Sequence, residues 1–139
     1  MMEKPFFENK IAIVLSENLA PWQELNVTAF LSSAIASHFP ETMGKDFVDA
    51  SGVGYPGIFR QPVMIFKSTP AELKILYKKA RERGLNIGIY TKKIFETQGD
   101  QNIQAVAELN EEEQDYAGLV FYGKRGRVDK VLEGQKLHP

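Results

Sequence analysis

The sequence predicts an α/β fold in three layers, a mixed and largely parallel sheet of four or five strands with helices on both faces. Short apolar runs of strand length alternate with longer segments of helical periodicity, and glycine or proline stands near most of the junctions. The chain has 139 residues, close to the usual size of one domain, and shows no repeat or low-complexity tract. We therefore expect residues 1–139 to form a single α/β domain.

The composition excludes several classes of protein. Hydrophobic residues make up 43% and charged residues 25% of the chain, which is typical of a globular domain. The formal net charge of -1 argues against binding of polyanions by bulk charge. The chain has no cysteine, which excludes thiol catalysis and thiolate metal sites and favours a reducing compartment, the cytoplasm. No segment has the ~20 consecutive apolar residues of a membrane span, and residues 1–9 lack the apolar run of a signal peptide.

The first elements are a buried strand and a long helix. Residues 10–15 (KIAIVL) are apolar and β-branched, as in buried strands. Pro21 then begins a segment of helical periodicity that ends near His38, and Pro40 follows it. The apolar residues at helical spacing, which we expect to face the core, are Leu25, Ala29, Phe30, Ala34 and Ile35.

The segment between this helix and the next strand contains a nucleotide-binding pattern that we reject. Residues 47–50 predict a short strand, and residues 51–60 predict a glycine-rich, irregular loop. Residues 52–57 spell G-x-G-x-x-G, but the dinucleotide fingerprint needs a helix directly after these glycines. Pro56 interrupts the motif, and the chain continues into a second buried strand at residues 63–67.

The next helix has clear signals at both ends. Thr69 is placed to cap it, Pro70 takes the first helical position, and Glu72 completes a capping box. Gly84 ends the helix before a third buried strand at residues 86–90. The face predicted to be buried consists of Leu73, Leu76, Tyr77 and Ala80. Strand, helix and strand together predict a right-handed parallel crossover.

The last third of the chain predicts shorter elements. Residues 102–109 predict a helix and residues 111–115 an acidic surface turn. Residues 119–122 (LVFY) predict another strand, and a last short helix ends at Gly134.

Few residues are available for conventional catalysis or metal binding, so we predict no metal and no cofactor. The chain has two histidines. His38 ends the long helix, where an imidazole interacts favourably with the helix dipole. His138 lies next to the last residue of the sequence, and we expect it to be poorly ordered. Ser51 lacks the G-x-S-x-G context of a hydrolase nucleophile.

Basic residues form two groups along the sequence, with acidic residues between them. A solvated helix face and a groove for RNA or a phosphate ligand both explain such groups, and we favour the solvated face. The first group is Lys74, Lys78, Lys79, Arg81, Arg83, Lys92 and Lys93, and the second is Lys124, Arg125 and Arg127.

Two loops form the candidate ligand site. In open α/β sheets, ligands bind beyond the carboxyl ends of parallel strands, which selects residues 16–26 and 91–98. Polar and aromatic side chains in these loops suit a small ligand with a polar edge, and the candidates are Ser16, Asn18, Trp22, Gln23, Asn26, Thr91 and Gln98. The loop at residues 49–52, with Asp49 and Ser51, is a candidate lid.

Trp22 has two interpretations that forecast different stabilities. If Trp22 is a core residue that packs the start of the helix against the core, its replacement by alanine would lower the free energy of unfolding by about 3–5 kcal/mol. At the mouth of a pocket, the same change would cost about 1 kcal/mol or less. The neighbouring amides of Gln23 and Asn26 favour the pocket slightly.

Several stretches resemble a bacterial domain-of-unknown-function family, number 2000. They are residues 18–30 (NLAPWQELNVTAF), 49–52 (DASG), 79–85 (KARERGL) and 137–139 (LHP). That family is similar to the type II peptidyl-tRNA hydrolases. The resemblance implies a mixed sheet of four to five strands flanked by helices, and it implies a homodimer.

The enzyme pattern departs from this sequence at both loops. The enzymes have a lysine-rich first loop and an Asp-Ala-Gly-x-Thr-Gln second loop. Here residues 20–25 (APWQEL) contain no lysine, and residues 91–98 (TKKIFETQ) keep only Thr-Gln. The first hypothesis is therefore a non-enzymatic or weakly catalytic binding domain for a small molecule. The alternative is a hydrolase of peptidyl-tRNA or a related ester that uses Lys92 and Thr97.

Overall fold

The computed structural model describes residues 5–139. The strands in this part of the chain are β1 (Asn9–Ser16), β2 (Phe47–Val48), β3 (Gly54–Tyr55), β4 (Val63–Ser68), β5 (Asn86–Thr91), β6 (Tyr116–Lys124) and β7 (Lys136–Leu137). The helices are α1 (Pro21–His38), α2 (Pro70–Glu82), α3 (Gln101–Ala107) and α4 (Arg125–Val131), with 3-10 turns at Pro40–Thr42, Lys92–Glu96 and Glu111–Glu113.

The main sheet has five strands in the order β5-β6-β1-β4-β7. β1 is parallel to β4 and antiparallel to β6, and β5 is also antiparallel to β6. β1, β4 and β5 therefore run in the same direction. The carboxyl ends of these three strands lie at one end of the sheet, which we call the strand-end edge. The opposite end of the sheet, where the three strands begin, is the strand-start edge.

The prediction of a mixed α/β fold is confirmed, but the prediction that its sheet is largely parallel is wrong. β6 lies between β1 and β5, and β7 is antiparallel to β4, so β1–β4 is the one parallel pair in the described sheet. The segment β4–α2–β5 does join strands of the same direction, but it passes over two others. β6 is buried along most of its length, and a continuous apolar run carries no information about strand direction.

Helices cover both faces of the sheet, as predicted. Side chains of β1 alternate between the faces. Ala12 and Val14 pack with α2 and α4, whereas Ile11, Ile13 and Leu15 pack with α1.

Helix α1 has the predicted bounds but buries a different face. Its buried residues are Val27, Leu31 and Ile35. Leu25 and Phe30 point outward, with 74% and 48% of their surfaces exposed. Apolar residues lie on two sides of α1. Helical periodicity alone therefore predicted the wrong side to be buried at the first turns of the helix.

The start of α2 forms half of the predicted capping box. Thr69 Oγ1 accepts the N–H of Glu72 at 3.1 Å. The Glu72 carboxylate instead accepts from Gln135 Nε2 at 3.2 Å. Gly84 ends the segment with φ +68°, the left-handed conformation that glycine adopts without strain.

Residues 43–60 form a hairpin, which we call the arm, where the sequence predicted an irregular loop after a short strand. β2 and β3 pair within it, and Met43 bridges Phe59 at its base. The arm begins at the strand-start edge, because α1 ends there and β4 begins there. The G-x-G-x-x-G residues 52–57 lie in this hairpin, and no helix follows them, which agrees with rejecting a dinucleotide site.

Candidate functional site

The start of α1 lies at the strand-end edge and is fixed by its own side chains. Ala20 precedes the helix, Pro21 is its first residue, and Gln23 Oε1 accepts the N–H of Ala20 at 2.9 Å. The amide oxygen of Gln23, a predicted ligand contact, is therefore engaged in holding the helix start.

Trp22 lies on this first turn and connects the two predicted loops. Its ring contacts the edge of Phe95, with ring centroids 6.1 Å apart and an interplanar angle of 69°. Phe95 in turn packs on Tyr90, with centroids 4.9 Å apart. Trp22 is nevertheless 62% exposed. This exposure excludes a core position and leaves the surface interpretation.

A cluster of three charged side chains, which we call the charged cluster, lies beside the start of α1. Glu24 Oε2 is 2.8 Å from His138 Nε2, and Glu24 Oε1 is 3.0 Å from Lys67 Nζ. Lys67 comes from the end of β4. The chain after β7 stays beside β4 because the His138 N–H donates to Ile65 O at 2.9 Å.

The hydrogen bonds of the charged cluster define its protonation. His138 Nδ1 lies 2.9 Å from Pro139 O, and Nε2 faces the Glu24 carboxylate, so both ring nitrogens face acceptors. The bond to the Pro139 oxygen, with the Glu24 carboxylate, raises the pKa of His138. Burial alone would raise the pKa of Glu24, but the hydrogen bonds from His138 and Lys67 outweigh burial and hold that pKa below its usual value. At mildly acidic pH the carboxylate therefore lies between two cations.

The sequence analysis missed this cluster. The expectation that His138 is poorly ordered is wrong, because both its ring and its backbone are hydrogen-bonded. The sequence did indicate that His138 matters, because residues 137–139 are one of the stretches that resemble the family. Nothing local, however, connects His138 with Glu24, since 114 positions separate them.

The other candidates of the first loop differ in exposure. Ser16 is fully buried, and its Oγ accepts the N–H of Asn18 at 3.4 Å. Asn18 and Asn26 are exposed at the strand-end edge. Their side chains are thus the accessible amides of this loop.

The two candidates of the second loop, Thr91 and Gln98, differ in exposure. Thr91 is 2% exposed, and its Oγ1 has no hydrogen-bond partner in the part of the chain that the structure describes. Gln98 is exposed, and its N–H donates to the side chain of Gln101.

The two residues named for a hydrolase each have a partner within the chain. Lys92 Nζ lies 3.6 Å from Asp115 Oδ2. Thr97 Oγ1 donates to Asn102 Oδ1 at 2.5 Å. Because the hydroxyl faces an amide oxygen, it has no base there that could make it a nucleophile.

The proposed lid residues lie on the arm. Both Asp49 and Ser51 are exposed, and the Ser51 N–H donates to Asp49 Oδ1 at 2.9 Å. The arm begins at the strand-start edge, whereas the two loops meet at the strand-end edge.

Several basic residues of the first group are paired with the acidic segment that follows them. Arg81 lies 3.3 Å from Glu111, and Lys93 lies 3.9 Å from Glu108. These contacts support a solvated, charge-balanced face.

Two further cavities are not lined by residues of the two predicted loops. One of about 400 Å³ at the strand-start edge includes Lys10 and Arg125. Lys10 pairs with Asp129 at 2.6 Å, and Arg125 donates to Phe7 O. The second, of about 370 Å³, lies against Tyr116, whose pKa burial raises to about 12. Arg60, the third cation of the first cavity, lies over the Phe7 ring at 5.5 Å from its centroid, so all three cations have partners within the chain.

Neither a metal site nor a membrane span is present in residues 5–139. No cluster of three or more histidine, aspartate or glutamate side chains could hold a metal ion there. Within the same residues, no helix is long and apolar enough to cross a membrane.

These features define the protein as an α/β domain with a mixed five-stranded sheet and an aromatic and charged surface at its strand-end edge. The chain belongs to the family described as Protein of unknown function (DUF2000), which matches residues 9–139. It is similar to a protein of unknown function, Atu0240, from Agrobacterium tumefaciens str. C58. The two share 32% identity over 96% of this chain and 100% of that chain, with a TM-score of 0.91. No curated protein matches the sequence. The resemblance to family 2000 is thus confirmed.

Proposed function

We propose that this protein is a binding domain whose ligand site is the surface where residues 16–26 and 91–98 meet. The position of Trp22 carries this proposal, because a large ring that is 62% exposed stands at the edge where α/β sheets bind ligands. Phe95 contacts the ring from one side. The rest of the ring offers a planar apolar surface to a ligand.

The polar groups around Trp22 suggest the chemistry of the ligand. Asn18, Asn26 and Gln98 are exposed and offer amide donors and acceptors. A small molecule with a planar apolar part and a hydrogen-bonding edge fits this combination. Ser16 and Thr91 are buried, so their side chains are not open to a ligand at this surface.

We further propose a cytoplasmic, single-domain homodimer. The absence of cysteine supports a reducing compartment. The mixed sheet with helices on both faces agrees with the likeness to type II peptidyl-tRNA hydrolases, which remains part of this proposal. That likeness concerns the fold and does not imply an activity, because proteins that share a fold have different functional sites.

Replacement of Trp22 by alanine should cost about 1 kcal/mol or less of the free energy of unfolding, because the ring is largely exposed. The same change should abolish binding of benzamide, nicotinamide and indole fragments in saturation-transfer NMR. Ile103→Ala is the matched control, since Ile103 is 69% exposed on α3. A loss of about 3–5 kcal/mol with unchanged fragment binding would contradict the proposed site.

Peptidyl-tRNA should not be hydrolysed faster with this protein than in buffer, since Lys92 and Thr97 already have structural partners. Release of free peptide from a labelled substrate measures this directly. Turnover that Lys92→Ala or Thr97→Ala abolishes would restore the hydrolase alternative.

A further inference from the structure

The cavity of about 400 Å³ at the strand-start edge has cationic side chains in its wall, those of Lys10, Arg60 and Arg125. Its volume falls within the roughly 300–1,000 Å³ of pockets that bind small molecules. Apolar side chains complete the wall, among them Phe7 and Met64. Cations beside an apolar surface suit a ligand that has an anionic group and an apolar body.

In the part of the chain that the structure describes, a carboxylate neutralises only one of these cations. Lys10 Nζ lies 2.6 Å from Asp129 Oδ1. Arg125 donates from Nε and Nη2 to Phe7 O at 3.2 and 3.1 Å, and Arg60 lies 5.5 Å from the centroid of the Phe7 ring. A carbonyl oxygen and an aromatic ring orient a guanidinium group, but neither carries a net negative charge. The cavity therefore keeps two uncompensated positive charges.

Both guanidinium groups also keep N–H donors for a ligand. The side chain of an arginine has five N–H groups, and Arg125 directs only its Nε and Nη2 at Phe7 O. The contact of Arg60 with the Phe7 ring uses the charge of the guanidinium and takes up no oxygen acceptor. Guanidinium groups bind carboxylate and phosphate oxygens through paired hydrogen bonds. The two arginines thus offer a recognition site for an oxyanion in one cavity.

Hydrogen bonds between the walls give the cavity a defined shape. Gln61 Nε2 donates to Asn9 O at 2.9 Å, which ties the segment before β4 to the start of β1. The Arg125 N–H donates to Glu8 O at 2.9 Å, which ties the end of β6 to the segment before β1. A site whose walls are already joined loses little conformational entropy when a ligand binds.

We propose that this cavity binds a small phosphate monoester, with the phosphate on Arg60 and Arg125 and the apolar body against Phe7 and Met64. Two uncompensated positive charges match a doubly charged phosphate better than a singly charged carboxylate. The site is separate from the one proposed around Trp22, because the two lie at opposite ends of the sheet. Strand β1, which joins these ends, has 8 residues and is ~26 Å long.

Isothermal titration calorimetry of the full chain at about 150 mM salt tests the ligand class, with phenyl phosphate as the probe. Phenyl phosphate should bind at least about tenfold more tightly than inorganic phosphate, which lacks the apolar body, and than benzoate, which has one charge. Benzyl alcohol, which has no charge, should not bind. Phenyl phosphate that binds no more tightly than inorganic phosphate or benzoate overturns the proposal.

Replacement of Arg60 by glutamine tests the location of the site. Arg60→Gln should weaken phenyl phosphate binding by about tenfold or more, the usual effect of losing a hydrogen bond between charged groups. Arg60 is exposed, so circular dichroism should show a folded chain. Arg127→Gln is the matched control, because Arg127 is an exposed arginine of α4 that does not line the cavity. Its affinity should stay close to that of the wild type, since salt screens exposed charges.

Two outcomes of this comparison overturn the site. Equal losses in Arg60→Gln and Arg127→Gln would show that phenyl phosphate responds only to the overall charge. An affinity that Arg60→Gln leaves unchanged would show that phenyl phosphate binds elsewhere, for example on Trp22. Arg60→Lys keeps the charge but lacks the paired donors, so it should recover only part of the lost affinity.

A nucleic acid carries the same phosphate chemistry, and a short single-stranded RNA serves as the competing probe. It should bind no more tightly than phenyl phosphate, because the chain has a net charge of -1 and the cavity accepts one small anion. RNA binding that is tighter, and that Arg127→Gln weakens as much as Arg60→Gln does, overturns the small-molecule site.

Discussion

Replacement of Gly118 by alanine should lower the free energy of unfolding by about 1–3 kcal/mol, the usual cost of overpacking a close-packed core. Gly118 lies on β6 beneath α1. A Cβ atom there would stand 2.8 Å from Val27 Cγ1, 3.2 Å from Leu31 Cδ1 and 3.3 Å from Leu15 Cδ2. All three neighbours are at most 2% exposed, so they have little room to move. The added methyl group must therefore push α1 away from the sheet.

Gly126→Ala is the matched control for this change. A Cβ atom at Gly126 meets nothing within 4 Å, and the residue lies in α4. Gly126 is the second residue of α4, so alanine there should stabilise the helix by at most about 0.5 kcal/mol, less than in a helix interior. In urea unfolding, Gly118→Ala should have a lower midpoint than the wild type, and Gly126→Ala should have a higher one. Equal midpoints would show that α1 is not packed on β6 as closely as these distances indicate.

Local signals in the sequence were sufficient for most elements of the fold. Thr69 and Gly84 gave the ends of α2, because capping and a left-handed glycine act within a few residues. The position of β6 in the sheet could not be predicted from such local signals. Its pairing with both β1 and β5 joins segments far apart in the chain, and its apolar run is compatible with either direction.

The place of the candidate site followed from strand direction rather than from adjacency. β1 and β5 are both antiparallel to β6, so their ends lie on one edge even though they are not neighbours. The contact of Trp22 with Phe95 brings the two loops together. Their role in binding stays a prediction. The outer apolar side of α1 was assigned to the core, because periodicity reveals that a helix has an apolar side but not what covers it.

Replacement of Glu24 by alanine should cost about 1.5–3 kcal/mol near pH 6, the usual value of hydrogen bonds to charged groups. The Glu24 side chain is 14% exposed, and it separates two cations, Lys67 and His138. Without the carboxylate these cations face each other, and the chain after β7 loses its contact with α1. Glu17→Ala is the control, because Glu17 is an exposed carboxylate at the same edge, and its loss should change stability by less than about 0.5 kcal/mol.

The pH dependence of this loss follows from the two pKa shifts. The pKa of His138 is raised from 6.5 in the folded protein, so its contribution is complete below about pH 6.5 and is lost as the pH rises through the raised value. The pKa of Glu24 is lowered from 4.5, so its contribution is present above about pH 4.5 and is lost as the pH falls through the lowered value. The difference in stability between wild type and Glu24→Ala should therefore be largest between about pH 4.5 and 6.5. At alkaline pH it should shrink without vanishing, because Lys67 stays charged. Urea unfolding across this range measures the difference, and a constant value would show that His138 does not titrate against Glu24.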